Sequence, residues 1–119
     1  MGENAILNKS KAFAIRVVKL HQWMVEGRKE FVLNKQLLRS GTSIGANVRE
    51  AHFAQSKREF VAKMNIALKE AAESEYWLEL LHETGYLNAK EYASMAADCA
   101  ELNKLLITII KNSNSPKPK

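Results

Sequence analysis

Three features of this sequence could carry chemistry: a Glu-x-x-His, a lone cysteine and a row of cations. Glu79-Leu-Leu-His82 has the spacing with which helical bundles hold a dinuclear metal centre. Such a centre needs a second Glu-x-x-His and two further inward carboxylates, and the sequence repeats the motif nowhere. No metal site is therefore expected. Cys99 falls between Met95 and Leu102 in an apolar row, where a thiol packs and is not activated as a nucleophile. The sequence has no Gly-x-x-x-x-Gly-Lys-Ser/Thr loop for phosphate and no strand–glycine–helix unit for a dinucleotide. Neither catalytic nor cofactor-binding residues are expected, and the chain reads as non-enzymatic.

The cations are more informative. Lys35, Arg39, Thr42, Ala46, Arg49 and Phe53 recur at alternating steps of four and three. They share one face of a helix, opposite the apolar row Leu37, Ile44, Val48 and Ala51. Lys35, Arg39 and Arg49 on such a face could contact phosphates. Ala46 and Phe53 suit a subunit interface better than a solvated face, as do Tyr76 and Leu80 on a later helix. The overall charge of +5 is unevenly placed. Through Ser56 there are nine basic and four acidic residues, and from Lys57 to Lys111 seven basic and nine acidic. The basic half suits RNA or DNA. The plainer alternative is a solvated surface on a protein–protein scaffold.

Apolar spacing predicts four helices to position these groups. The first spans Ala5 to Glu26, with Ile6, Phe13, Val17, Leu20 and Met24 inward, widened by Ala14, Val18, His21 and Val25, and Gly27 as its stop. A short connector follows, with Phe31 expected against the bundle. Asn34 reads as the N-cap of the second helix, with a Leu33–Leu38 staple. A break at Ser40-Gly41 is conceivable, but the apolar register crosses the glycines and favours one helix to Phe53. Glycine inside a helix costs about 0.5–1 kcal/mol, so Gly41 and Gly45 imply close approach of another backbone. Ser56 with Glu59 forms a capping box for the third helix, whose row is Phe60, Met64, Ala67, Ala71, Ser74, Leu78 and Leu81. Gly85 stops it. Asn88 with Glu91, and a Leu87–Tyr92 staple, open the fourth, whose row is Tyr92, Met95, Cys99, Leu102, Leu106 and Ile109. Trp23, Tyr76 and Trp77 read as packing within the bundle or between subunits.

Short connectors make neighbours antiparallel, so the expected fold is an all-α, up-down-up-down four-helix bundle over residues 1–111. Residues 112–119 read as a disordered basic tail. No apolar run reaches the roughly 18–20 residues that span a membrane, so no membrane partner is expected. The absence of a signal-peptide pattern and the single cysteine point to the cytoplasm.

The run Gln36-Leu-Leu-Arg-Ser-Gly-Thr-Ser-Ile-Gly-Ala-Asn-Val-Arg-Glu50 resembles the signature of the 23S rRNA intervening-sequence proteins. Phe60, Lys63-Met-Asn-Ile-Ala-Leu-Lys-Glu-Ala-Ala-Glu-Ser-Glu75 and Gly85-Tyr86-Leu87 are similar to that family too. The resemblance implies a four-helix bundle that assembles as a homopentameric ring, from bacteria. It also extends to the accessory protein of diversity-generating retroelements, which engages nucleic acid and a reverse transcriptase. It supplies no catalytic residues, and it gives Asn47 and Glu50 a structural part between helices or subunits. The biochemical role does not follow from it. Homo-oligomer formation, RNA or DNA binding and a possible protein partner are the resulting expectations.

Overall fold

Four helices make up almost all of residues 2–114, the part of the chain that the computed structural model describes. They are α1 (Gly2–Trp23), α2 (Val32–His52), α3 (Lys57–Glu83) and α4 (Ala89–Asn114). Each packs on its neighbours in the chain, and α1 closes against α4. Specific pairs fix the directions. Asn34 reaches His21, Gly41 meets Val17 and Gly45 meets Ser10, so α2 runs back along α1. Arg39 pairs with Glu70 and Glu73, while Glu50 pairs with Lys63, so α3 runs back along α2. Arg16 with Asp98 and Lys9 with Glu101 set α4 opposite to α1. The all-α bundle and its up-down order follow.

The core is the set of rows read from the sequence. Ile6, Phe13, Val17 and Met24 of α1 meet Leu37, Ile44, Val48 and Ala51 of α2. Met64, Ala67, Ala71, Leu78 and Leu81 meet Met95, Cys99, Leu102 and Leu106. Phe60, Tyr92, Ile109 and Leu20 are partly buried at its edges. Val18 departs from expectation and is exposed. Three serines are buried: Ser40 Oγ lies 2.9 Å from Ser74 Oγ, Ser74 also donates to the Glu70 carbonyl, and Ser10 Oγ donates to the Leu7 carbonyl at 3.3 Å. Each hydroxyl therefore has a partner, as burial requires.

The glycines of α2 are used within the chain. A Cβ at Gly41 would lie 2.8 Å from Val17 Cγ2, and one at Gly45 would lie 3.4 Å from the Ser10 carbonyl oxygen. Within the chain, α1 makes the close approach expected from the sequence, by the Val17 side chain at Gly41 and the Ser10 backbone at Gly45.

The α1–α2 connection differs most from expectation. The helix does not stop at Gly27. Met24–Arg28 forms a π-helical turn, and Lys29 takes the left-handed conformation with φ 56°. Asn34 is not the cap. It is buried in the first turn of α2, where its side-chain amide donates to the His21 carbonyl at 3.0 Å. Glu30 does the capping: its carboxylate accepts from the backbone N–H of Val32, Leu33 and Asn34 at 3.2, 3.0 and 2.8 Å. A carboxylate at that end also complements the helix dipole. Phe31 does not pack on the bundle and is 56% exposed. Glu30→Ala removes an acceptor from three N–H groups, so it should cost about 2 kcal/mol in urea denaturation. Asn34→Ala should leave α2 capped and lose only the bond to α1.

The other caps form as read. Glu59 N–H donates to Ser56 Oγ at 3.0 Å, while the Glu59 carboxylate reaches the Gln55 N–H. Asn88 and Glu91 exchange two bonds of 2.8 Å. Gly85 ends α3 with φ +89°. Of the expected tail, residues 112–114 belong to α4, and the rest lies outside the described residues.

Candidate nucleic-acid interface

Arg39 belongs to the fold. Its guanidinium bonds both oxygens of Glu70 at 3.3 Å and reaches Glu73 as well. Glu73 also accepts from Trp77 Nε1–H at 2.9 Å. That bond first, and Arg39 second, hold the Glu73 carboxyl below its usual range. The expected trio of cations on α2 is thereby reduced. Arg39 is neutralised from α3, while Lys35 and Arg49 remain on the outer surface.

The structure gathers other cations around α1. One groove runs between α1 and α2, with Ser10, Ala14, Gly45 and Ala46 in its lining and Lys11 and Arg49 beside them. A second follows the outer side of α1 past Ile15 and Val18, from Lys11 to Lys19. The two share Lys11 and Ala14, and no carboxylate lines either. A groove lined by cations without a carboxylate is an electrostatic trap for a polyanion. Lys11 and Lys19 lie off the inner row that apolar spacing marks on the first helix. Their signal was a spacing of eight, which keeps both on one side of a helix.

The interface candidates are placed as follows. Ala46 lies in the α1–α2 groove beside Arg49. Phe53 is 75% exposed at the end of α2, and Tyr76 is 54% exposed on α3. Leu80 is half-buried. Val32 is 72% exposed. By the α2–α3 pairing, Val32 lies at the same end of the bundle as Tyr76 and Leu80.

The groups with chemical potential are committed to packing. His82 Nδ1 lies 2.9 Å from the Leu87 carbonyl, and its ring stacks on Tyr92 at 4.6 Å. It holds the α3–α4 turn. Cys99 is fully buried, and its Sγ–H donates to the Ala71 carbonyl at 3.3 Å. Burial, with the charges of Glu75 and Asp98, pushes the thiol up to about 12. In native protein at mildly alkaline pH a thiol reagent should label Cys99 at least roughly a hundredfold more slowly than in denaturant. Equal rates would show that Cys99 is accessible. Among the described residues, no three His, Cys, Asp or Glu side chains converge on a possible metal position, and no helix is long and apolar enough to cross a membrane.

The family model of the 23S rRNA-intervening sequence protein matches residues 2–108. The chain belongs to that family. Among solved structures it is similar to a protein of unknown function from the S23 ribosomal protein family of Bacteroides thetaiotaomicron VPI-5482. The two are 57% identical, the match covers 93% of this chain and 99% of the other, and the TM-score is 0.92. No curated protein matches the chain. Within the intervening-sequence signature the structure gives Asn47 and Glu50 partners inside the chain. Asn47 donates to the Ser43 carbonyl of its own helix at 2.8 Å, and Glu50 pairs with Lys63 of α3 at 2.8 Å. The structural part implied for Glu50 is thus between helices of one chain.

Proposed function

We propose that this family member is a non-enzymatic, self-associating bundle that holds RNA or DNA by its phosphates. The observation that carries the reading is the carboxylate-free lining of the two adjoining grooves along α1, with Lys11, Lys19 and Arg49. Phosphate contacts supply sequence-independent affinity that weakens with salt. The commitment of His82 and Cys99 to packing supports the non-enzymatic part. A buried lone cysteine is compatible with the reducing cytoplasm, which we take as the compartment. Titration of a labelled RNA and a labelled DNA at low salt tests the binding. Saturable association that falls with salt supports it, and none at all for either polymer rejects it.

Self-association rests on exposed large side chains. Phe53, Val32, Phe31 and Tyr76 are each more than half exposed. Phe31, Val32 and Tyr76 lie toward one end of the bundle and Phe53 at the other end of α2, and so much exposed apolar surface is costly for a monomer in water. The ring of five implied by the resemblance is the proposed state. Light scattering should return a multiple of the 13.4 kDa chain mass. Phe53→Asp with Tyr76→Asp should return the single-chain mass while leaving helicity unchanged. A native protein of single-chain mass at micromolar concentration would overturn the assembly, and a closed ring of another size would overturn only the number.

A further inference from the structure

A third groove, of about 450 Å³, lies between α1 and α4 and shares Lys19 with the cationic surface. Its lining includes Trp23, Lys90, Glu91, Arg16 and Met95. Two of the charged groups are already engaged. Arg16 bonds Asp98 at 2.5 Å and Ser94 at 2.8 Å, and Glu91 holds the Asn88 N–H. Lys19 and Lys90 are the cations that remain to meet a ligand. Trp23 is 40% exposed although it is one of the largest apolar side chains in the protein.

The π-helical turn explains how Trp23 is held. Such a turn bonds residue i to i+5, so it stacks Arg28 above Trp23, with the guanidinium carbon 5.1 Å from the ring centroid. The left-handed Lys29 then ends the helix. A π-turn is a rare local departure from the α-helix and is frequent at functional sites. Here it braces an exposed indole with a cation, at the end of a path of cations.

We propose that this α1–α4 groove binds an unpaired nucleobase of a single strand, stacked on Trp23, with flanking phosphates on Lys19 and Lys90. The inference rests on the nucleic-acid reading above and deepens it: the preferred ligand is single-stranded, since a base inside a duplex offers no free face. Aromatic platforms bordered by cations bind single strands in this way, with little regard for sequence.

The test uses Trp23 fluorescence in the Trp77→Phe protein, which leaves Trp23 as the one indole. The probes are a mixed-sequence RNA of roughly 12 nucleotides and its duplex, at about 50 mM salt. The single strand should quench Trp23, and Trp23→Ala should weaken its binding roughly tenfold, with Trp23→Phe recovering most of the loss. Lys90→Ala, which leaves the indole in place, should weaken the strand as well. Circular dichroism of each variant confirms the fold. Binding without quenching, and with equal affinity in Trp23→Ala, would overturn the stacking site and leave phosphate binding intact. Tighter binding of the duplex would also overturn it. Failure of both probes to bind would remove the nucleic-acid reading and this inference with it.

Discussion

Gly41→Leu should destabilise the protein by about 3 kcal/mol and lower its melting temperature by roughly 12 °C. Even a Cβ at this position would stand 2.8 and 3.0 Å from the two methyls of Val17. Valine is stiff at χ1, so it cannot turn away, and α1 and α2 must part. Gly41→Ala has a smaller cost, because alanine regains up to about 1 kcal/mol of helix propensity. Pairing it with Val17→Ala should recover stability beyond the sum of the single changes, since the two side chains compete for one space. Gly45→Ala is a useful contrast. Its Cβ would sit 3.4 Å from the Ser10 carbonyl oxygen, close to ordinary contact, so stability should change by less than about 1 kcal/mol. Differential scanning calorimetry checks all of these. A Gly41→Leu protein that melts like the native one but has a changed subunit count would move the glycine contact to an interface between chains.

Removing the three groove cations should have the largest effect on binding. Each phosphate contact to a single strand contributes a salt exponent of about 0.7, so three contribute about two. At about 0.1 M salt, Lys11→Ala, Lys19→Ala and Arg49→Ala together should weaken an RNA roughly a hundredfold. Arg39→Ala should change affinity by less than about twofold, because Glu70 and Glu73 already neutralise that side chain. The comparison separates the surface proposed from the sequence from the one assembled by the fold. If Arg39 outweighs Lys11 and Lys19, phosphates bind along α2 instead.

The fold was largely legible because local signals and the long-range pattern agree. The apolar rows of α2, α3 and α4 need no knowledge of a neighbour: Leu37, Ile44 and Val48 are buried wherever a core lies. The caps at Ser56 and Asn88 are complete within four residues and formed as read. The cap at Glu30 was hidden because a carboxylate four residues before Asn34 folds back only once the π-turn and Lys29 have set its direction. Asn34 has the right chemistry for a cap, but the carbonyl of His21 claimed its side chain. The candidate site was legible only in part, for a similar reason. Periodicity places Arg39 on an outer face, yet it cannot show that Glu70 and Glu73 arrive there from α3. Nor can it show that Lys11 and Arg49, from different helices, border one groove. Phe53 and Tyr76 were found because an apolar residue off the core row is a visible mismatch, whereas Trp23 lay close enough to the row to pass as packing.

The proposed function is tested most directly by fluorescence anisotropy of a labelled single-stranded RNA titrated with the native protein at about 50 and 200 mM salt. Phosphate contacts by the three groove cations predict that affinity falls at least about twentyfold between these conditions, and that the fall shrinks to no more than about threefold, the share of Lys90, in the Lys11, Lys19 and Arg49 triple-alanine protein. Affinity that does not respond to salt, or no association at the lower concentration, would contradict the account.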